Sequence, residues 1–175
     1  MESNISVLIS EEDLDKRIRE LGEQISRDYE GQEVHLICVL KGGSFFMCEL
    51  AKRITIPVSI DFMSVSSYGD ASVSSGIVRI VKDLDKPIEG KNVIVVEDII
   101  DTGRTLSYLL KVLGDRHPES IALCTMLDKP DRRVVDDVNV DYTGFEIPDE
   151  FVVGYGLDYA EKYRNLPYIG VIHLD

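Results

Sequence analysis

Residues 93–105 read Val-Ile-Val-Val-Glu-Asp-Ile-Ile-Asp-Thr-Gly-Arg-Thr. Val93 to Val96 form a continuous apolar, β-branched run, the pattern of a strand buried on both faces. Two adjacent acids, Glu97 and Asp98, break the run. Ile99 and Ile100 follow, then a third acid, Asp101, and a short stretch rich in Thr and Gly. Directly beyond it Leu106, Leu109, Leu110 and Leu113 fall at i, i+3, i+4 and i+7, the apolar stripe of a helix, and Gly114 stands where such a helix would end. A buried strand, a tight loop and a helix N-terminus together make an anion site. Free backbone N–H groups and the helix dipole point at the loop, and the hydroxyls of Thr102 and Thr105 add donors.

The acids narrow the ligand. Carboxylates beside a phosphate cradle repel a bare anion. They fit a ligand that also presents hydroxyls, or one that brings a divalent cation. A ribose phosphate carrying a magnesium-bound group would supply both. A plain strand end at the surface would leave unexplained three acids and two threonines on one turn.

The same thirteen residues resemble the phosphoribosyl-diphosphate-binding motif of type I phosphoribosyltransferases. That motif is four hydrophobic residues, two acids, two variable positions, then Asp-Thr-Gly-x-Thr, and the match is complete. The resemblance implies an α/β fold, with a central, mainly parallel sheet flanked by helices and a small hood subdomain. It assigns Glu97, Asp98, Asp101, Thr102, Gly103, Arg104 and Thr105 to phosphoribosyl diphosphate and its 5′-phosphate, and it implies Mg²⁺. The motif is shared by enzymes that use different bases, so the subclass must come from elsewhere in the chain.

Composition sets the outer limits. A chain of 175 residues with 44% apolar content is most simply one domain, 1–175, with a single core. Mean hydropathy near zero fits a soluble globular chain. No apolar run approaches the roughly 20 residues of a membrane span, and the first residues lack the basic and apolar regions of a signal peptide. Cys38, Cys48 and Cys124 are odd in number, lack C-x-x-C spacing and have hydrophobic neighbours, so they read as buried free thiols in a reducing cytoplasm. A net charge of −13 argues against a nucleic-acid surface. It also means that a phosphorylated substrate must be met at short range by N–H groups, a few placed Lys and Arg, and metal.

From the start of the chain, Ile5, Val7 and Ile9 alternate as a short strand. Ser10 and Asp13 form a weak capping pair before an amphipathic helix carrying Leu14, Ile18, Leu21 and Ile25 and ending near Gly31. Val34 to Leu40 is an apolar strand that stops at Lys41-Gly42-Gly43-Ser44, and the residues from Phe45 to Arg53 look helical. Taken alone, this is either an ordinary strand-to-helix turn or a second anion cradle, with glycines that admit a ligand and a lysine that adds charge. In hypoxanthine-guanine phosphoribosyltransferases a similar Leu-(Lys/Arg)-Gly-(Gly/Ser) turn binds pyrophosphate. The resemblance therefore assigns Leu40, Lys41, Gly42 and Gly43 to pyrophosphate, implies a strained peptide before Lys41 and allows it to be cis.

Pro57 to Val65 reads as a strand. Residues 66–76 are small and polar, either a hairpin connection or a mobile lid. The family closes a flexible loop over the reacting centre here, and Ser67 and Tyr68 match its Ser-Tyr pair. Such a lid would shield an electron-poor ribosyl cation from water. Ile77 to Val81 returns as a strand, and Asp83 to Gly90 turns into the central one. After the helix, Ile121 to Leu127 is another buried strand ending at Asp128-Lys129-Pro130. Lys129 could be a solvated strand-end lysine. The family places a lysine here against the oxygen on purine C6, which would favour a 6-oxo purine over adenine.

The last third is polar up to Tyr142. Phe151-Val-Val-Gly-Tyr-Gly156 is neither a dinucleotide fingerprint nor a Walker A loop. Its glycines allow a tight turn against a flat ligand, and Phe151 could equally be core. The stretch closely resembles the purine-binding hood of the same enzymes, in which the aromatic stacks on the base and the next valine offers backbone groups to it. The resemblance assigns Ile99, Lys129, Phe151, Val152 and Asp158 to the purine pocket, Glu97, Asp98 and Asp158 to metal, and Arg164 to pyrophosphate. The hood would combine the N-terminal segment with residues from about 130 to 175. Ile169 to Leu174 reads as the final strand, and the short N-terminal segment looks like the bacterial form of the family.

The expectation is thus a cytoplasmic purine-salvage transferase. It would convert hypoxanthine, and guanine, with phosphoribosyl diphosphate into the nucleotide and pyrophosphate, with Asp101 as the catalytic carboxylate. The family's dimers and tetramers imply a homodimer or homotetramer, with no nucleic-acid or membrane partner. Two alternatives stand beside it. One is a guanine- or xanthine-preferring relative. The other is a non-catalytic RNA-binding or nucleotide-sensing regulator of the same fold, against which the acidic charge and the intact Asp101 weigh.

Overall fold

The computed structural model describes residues 4–67 and 78–173. Its centre is a six-stranded sheet. In chain order its strands are β2 (Val34–Val39), β3 (Val58–Ser67), β4 (Val78–Lys82), β5 (Asn92–Ile100), β6 (Ser120–Asp128) and β7 (Tyr142–Glu146). They lie in the order β4-β3-β2-β5-β6-β7. All neighbours run parallel except β4, which pairs antiparallel with β3 at the edge. The connections run outward from β2 to β3 on one side and from β5 to β7 on the other. The direction of winding therefore reverses between β2 and β5. At such a switch point the loops leaving two adjacent strand ends splay apart and open a crevice for ligands. Both Lys41-Gly42-Gly43 and the stretch from Asp101 to Thr105 leave from this crevice.

Strand alternation explains the layering. On β2 and β5, Leu36, Cys38, Ile94 and Val96 face one side and pack under α1 (Glu11–Asp28) and α2 (Ser44–Arg53). Ile37, Val39, Val93 and Val95 face the other side, against Leu106, Leu109 and Leu113 of α3 (Arg104–Gly114). A strand covered on both faces can be apolar at every position, which is why Val93 to Val96 carries no polar residue. Helix α1 presents Leu14, Ile18, Leu21 and Ile25 inward. Its start is fixed by Ser10 Oγ, which accepts from the Asp13 N–H at 3.2 Å, and by acids in the first turn.

A separate three-stranded antiparallel sheet joins β1 (Asn4–Ile9), β9 (Ile169–His173) and β8 (Val152–Val153) in the order β1-β9-β8. It brings the first and last strands of the chain together. Arg17 of α1 donates to the carbonyls of Thr143 and Gly144 on β7 at 2.7 and 3.0 Å, which fixes α1 against that edge of the central sheet.

Two sequence expectations need correction, and one strand was not foreseen. The central strand does not break at Glu97. It continues to Ile100, because the ladder with β6 carries on through the pairs Glu97–Thr125, Ile99–Leu127 and Ile100–Asp128. Cys48 is exposed, because α2 buries Phe46, Met47 and Leu50 and Cys48 falls off that stripe; Cys38 and Cys124 are buried as expected. Tyr142–Glu146 forms a strand that the residue pattern does not announce, since it is short and only its first residue is buried. Ser67 is the last residue of β3, and the proposed lid residue Tyr68 lies outside the described residues.

Ile94 is fully buried at the centre of this sandwich. Ile94→Ala should cost about 2–5 kcal/mol, read as a lowered midpoint in urea unfolding.

Candidate active site

The C-terminal ends of β2, β5 and β6 carry three turns, and most of the candidate residues sit at them; Phe151, Val152, Asp158 and Arg164 come from β8 and its flanking segments. Residues 40–43 lie between β2 and α2. The Leu40–Lys41 peptide is cis, the form that the resemblance allows. Glu97, Asp98, Ile99 and Ile100 end β5, and Asp101, Thr102 and Gly103 lead into α3, whose first residues are Arg104 and Thr105. Lys129 follows β6 directly.

Gly103 is the N-cap of α3 with φ +84°, a left-handed conformation that other residues adopt at a cost. It supplies no side-chain cap. The first-turn amides have no acceptor within the helix. A cavity of about 250 Å³ opens here, lined by Leu40, Glu97, Ile99, Asp101, Thr102, Gly103 and Thr105. A larger cavity of about 380 Å³ lies at the opposite ends of the strands, beside His35, Ser59, Lys91 and Asn92. Size does not select the site; the strand ends and their chemistry do.

Glu97 and Asp98 are the electrostatic centre. Glu97 is buried, and burial pushes its carboxyl well above the usual range; the neighbouring Asp98 charge adds to the rise, and the Asp98 N–H opposes it. Asp98 is also raised, chiefly by burial. The Ile99 and Asp98 amides and the Arg164 charge pull it back, while Asp158 pushes it further up. Gly42 lies so close to the Asp98 carboxylate that an added Cβ would collide with it. Close approach of the backbone to these acids is therefore why residue 42 carries no side chain.

Asp101 accepts from Arg132 Nε at 2.9 Å through Oδ1, and its carbonyl accepts from Arg133 Nε at 3.4 Å. Arg133 also pairs with the buried Asp128. Lys129 is buried, and its Nζ donates to Asp149 Oδ1 at 3.3 Å. Phe151 is half exposed, at 51%, and meets Tyr159 edge-on with ring centroids 5.6 Å apart. It is not core, and an exposed ring face suits stacking on a flat ligand. Val152 is buried in β8.

Between β8 and β9 the chain turns back over the 41–43 loop, with Gly156 packed against the Gly42 carbonyl. Arg164 donates to the Gly156 carbonyl at 2.7 Å and pairs with Asp158 at 3.2 Å. Lys41 pairs with Glu161 at 3.0 Å, and Arg164 reaches the same carboxylate at 3.5 Å. The two cations assigned to pyrophosphate thus share one acid. Glu161, Arg132, Arg133 and Asp149 were missed in the sequence. An adjacent Arg pair soon after Lys129 was the one usable signal; Glu161 and Asp149 look like any surface acid.

Among the described residues, no three His, Cys, Asp or Glu side chains form a ready metal cage. Mg²⁺ does not require one, since it commonly takes one or two carboxylates and completes its shell with water and substrate phosphate. The raised Glu97 and Asp98 carboxyls, which a nearby cation would relieve, fit such an ion.

A phosphoribosyl transferase domain model matches residues 10–160. The chain belongs to the phosphoribosyltransferase family. It is 52% identical over 174 residues to a hypoxanthine phosphoribosyltransferase of Buchnera aphidicola, covering 98% of each chain. A crystal structure of a hypoxanthine-guanine phosphoribosyltransferase from Bacillus anthracis superposes with a TM-score of 0.94 at 51% identity, over 98% of this chain and 100% of that one. The Listeria monocytogenes bifunctional protein TilS/HprT is 55% identical over 166 residues, and there the match spans only 26% of the relative's length. These matches put the chain in the hypoxanthine-guanine branch of the family.

The carboxylate burial makes a pH-dependent prediction for the ligand-free protein with chelator present. At neutral pH the buried Glu97 costs stability, because its carboxyl ionises freely in the unfolded chain while burial opposes that ionisation in the fold. As pH falls through its raised folded value toward the ordinary glutamate value of 4.5, the proton binds and the penalty fades. Glu97→Gln should raise Tm at neutral pH, and the gain should vanish by the ordinary range. Equal Tm values for variant and wild type at neutral pH would contradict this account.

Proposed function

We propose that the chain transfers the 5-phosphoribosyl group of phosphoribosyl diphosphate to hypoxanthine, and to guanine, releasing pyrophosphate and the nucleoside monophosphate. One observation carries this reading. A helix N-terminus behind a Gly turn, an acidic pair with Glu97 buried, and a buried lysine converge on the ends of adjacent strands; Lys129 N–H donates to the Ile100 carbonyl at 3.0 Å, joining two of the turns. The relatives' names support the same reaction.

In this reading the 5′-phosphate sits on the Asp101–Thr105 loop, held by the α3 amides and the threonine hydroxyls. Glu97 and Asp98 accept from the ribose hydroxyls or hold Mg²⁺, with Asp158 from the hood loop as a further carboxylate. When bound, Mg²⁺ offsets the charge of the departing pyrophosphate. Lys41, Arg164 and the backbone of Leu40, Gly42 and Gly43 receive that group. Phe151 stacks on the base, with Ile99 and Val152 lining its pocket. Lys129 donates to the 6-oxo group; adenine presents a donor there and is rejected. The purine nitrogen's lone pair forms the bond to the ribosyl carbon as the bond to pyrophosphate breaks, and Asp101 takes the ring N–H proton.

The chain acts in this reading as one domain, with its hood built from the N-terminal segment and residues from about 130. Ser67 and Tyr68 belong to a lid. A homodimer or homotetramer is part of the proposal, and exposed Ile60 and Val81 on β3 and β4 offer apolar surface for it. So is a cytoplasmic location, which three free thiols suit. No helix among the described residues is long and apolar enough to cross a membrane.

A spectrophotometric assay with phosphoribosyl diphosphate and Mg²⁺, offering hypoxanthine, guanine, xanthine and adenine separately, tests the proposal. Hypoxanthine should turn over and adenine should not; turnover of no base overturns the reading. Asp101→Asn should lower kcat by about 10²–10⁴ with the fold intact. Wild-type turnover by that variant would remove Asp101 from its role.

A further inference from the structure

We propose that Asp149 is a positioning residue that holds the Lys129 ammonium at the purine's 6-oxo group. The inference rests on the function proposed above. Lys129 is fixed at both ends. Its N–H donates to the Ile100 carbonyl at 3.0 Å, and its carbonyl accepts from the Arg132 N–H at 3.0 Å. Its side chain is only 10% exposed, so water cannot solvate the ammonium freely, whereas Asp149 is 54% exposed. A buried ammonium on a flexible four-carbon stem needs a partner, both to offset desolvation and to choose one rotamer.

Asp149 supplies that partner from the hood. The Ile147 N–H donates to the Asp128 carbonyl at 2.9 Å, and the Glu150 N–H to the Pro148 carbonyl at 2.8 Å. The first bond seats the Asp149 loop on the end of β6, and the second closes the turn around Asp149. The contact from Lys129 Nζ to Asp149 Oδ1 is 3.3 Å, longer than a strong charged hydrogen bond. An ammonium has three donors, and a loose tether leaves capacity for a carbonyl oxygen of the base. The second Asp149 oxygen lies 3.7 Å from Arg132 Nη1, and Arg132 Nε holds Asp101 at 2.9 Å. One exposed carboxylate thereby links the group that reads the base to the group assigned to its proton. It lies two residues before Phe151, on the segment that carries the stacking ring.

The test compares wild type, Asp149→Asn and Asp149→Glu in steady-state kinetics, with KM measured for each substrate. Asp149→Asn should raise KM for hypoxanthine about tenfold and leave KM for phosphoribosyl diphosphate within about twofold, since the nearer of its two charged contacts is to Lys129 and the longer one to Arg132 leaves the Arg132–Asp101 pair in place. Asp149→Glu should recover most of the loss. Calorimetric binding of inosine monophosphate should weaken in parallel, which keeps the test independent of turnover. An unchanged hypoxanthine KM, or equal rises for both substrates, overturns the inference while the functional reading stands. No turnover of any purine by the wild-type chain overturns both.

Discussion

Two adjacent carboxylates at the end of the central strand set the terms for the rest of the molecule. Glu97 pairs with Thr125 and Asp98 lies between that pair and Ile99–Leu127, so both stay within β5 and cannot swing out into water as loop residues could. Burial opposes the ionisation of both; the Asp98 charge further opposes that of Glu97, and the Asp158 charge that of Asp98. A fold selected for stability alone would end this strand with apolar residues, as its first half does. The ligand-free protein therefore carries an electrostatic cost that a bound cation, or ribose hydroxyls, would reduce. The cost is localised at the point where β2 and β5 diverge and the sheet can admit a ligand.

The second constraint is the net charge of −13. A protein this acidic has no long-range attraction for a phosphorylated substrate, and its few cations at the site are already engaged. Lys41 faces Glu161, Arg164 faces Asp158, Lys129 faces Asp149 and Arg132 faces Asp101. In three of these four pairs the acid comes from residues 149–161, the segment around β8. Binding of an anionic ligand is thus an exchange of partners. Exposed pairs such as Lys41–Glu161 contribute little and give way readily. The Lys129 pair differs, because its ammonium is nearly enclosed and would otherwise lack a counter-charge.

Much of this was legible in the sequence, for identifiable reasons. Buried parallel strands need apolar residues on both faces, so β2, β5 and β6 announce themselves, and the Leu stripe of α3 follows from its period. The resemblance at residues 93–105 also anticipated the parallel sheet and the membership of the family. What escaped depends on tertiary pairing. Nothing local says that Glu97 and Asp98 stay within a strand, because polar residues there are tolerated only through the ladder with Thr125 and Leu127. Cys48 was misread because its neighbours in sequence are apolar, although α2 turns it outward. Glu161 and Asp149 matter only because the chain folds back over the strand ends, and no local pattern encodes that return.

That return also explains why the glycines cluster where they do. Gly42 must admit the Asp98 carboxylate, and Gly156 must admit the Gly42 carbonyl, so acid, loop and hood turn are stacked at backbone distance. A side chain at either position would force these layers apart. The separation would widen the gap between Lys41 and Glu161 and shift Arg164, which is anchored to the Gly156 carbonyl. Backbone packing, more than the ion pairs, therefore fixes the geometry of the site. The ion pairs are left free to exchange, and a site that is acidic overall can take an anion without giving up the frame that holds it.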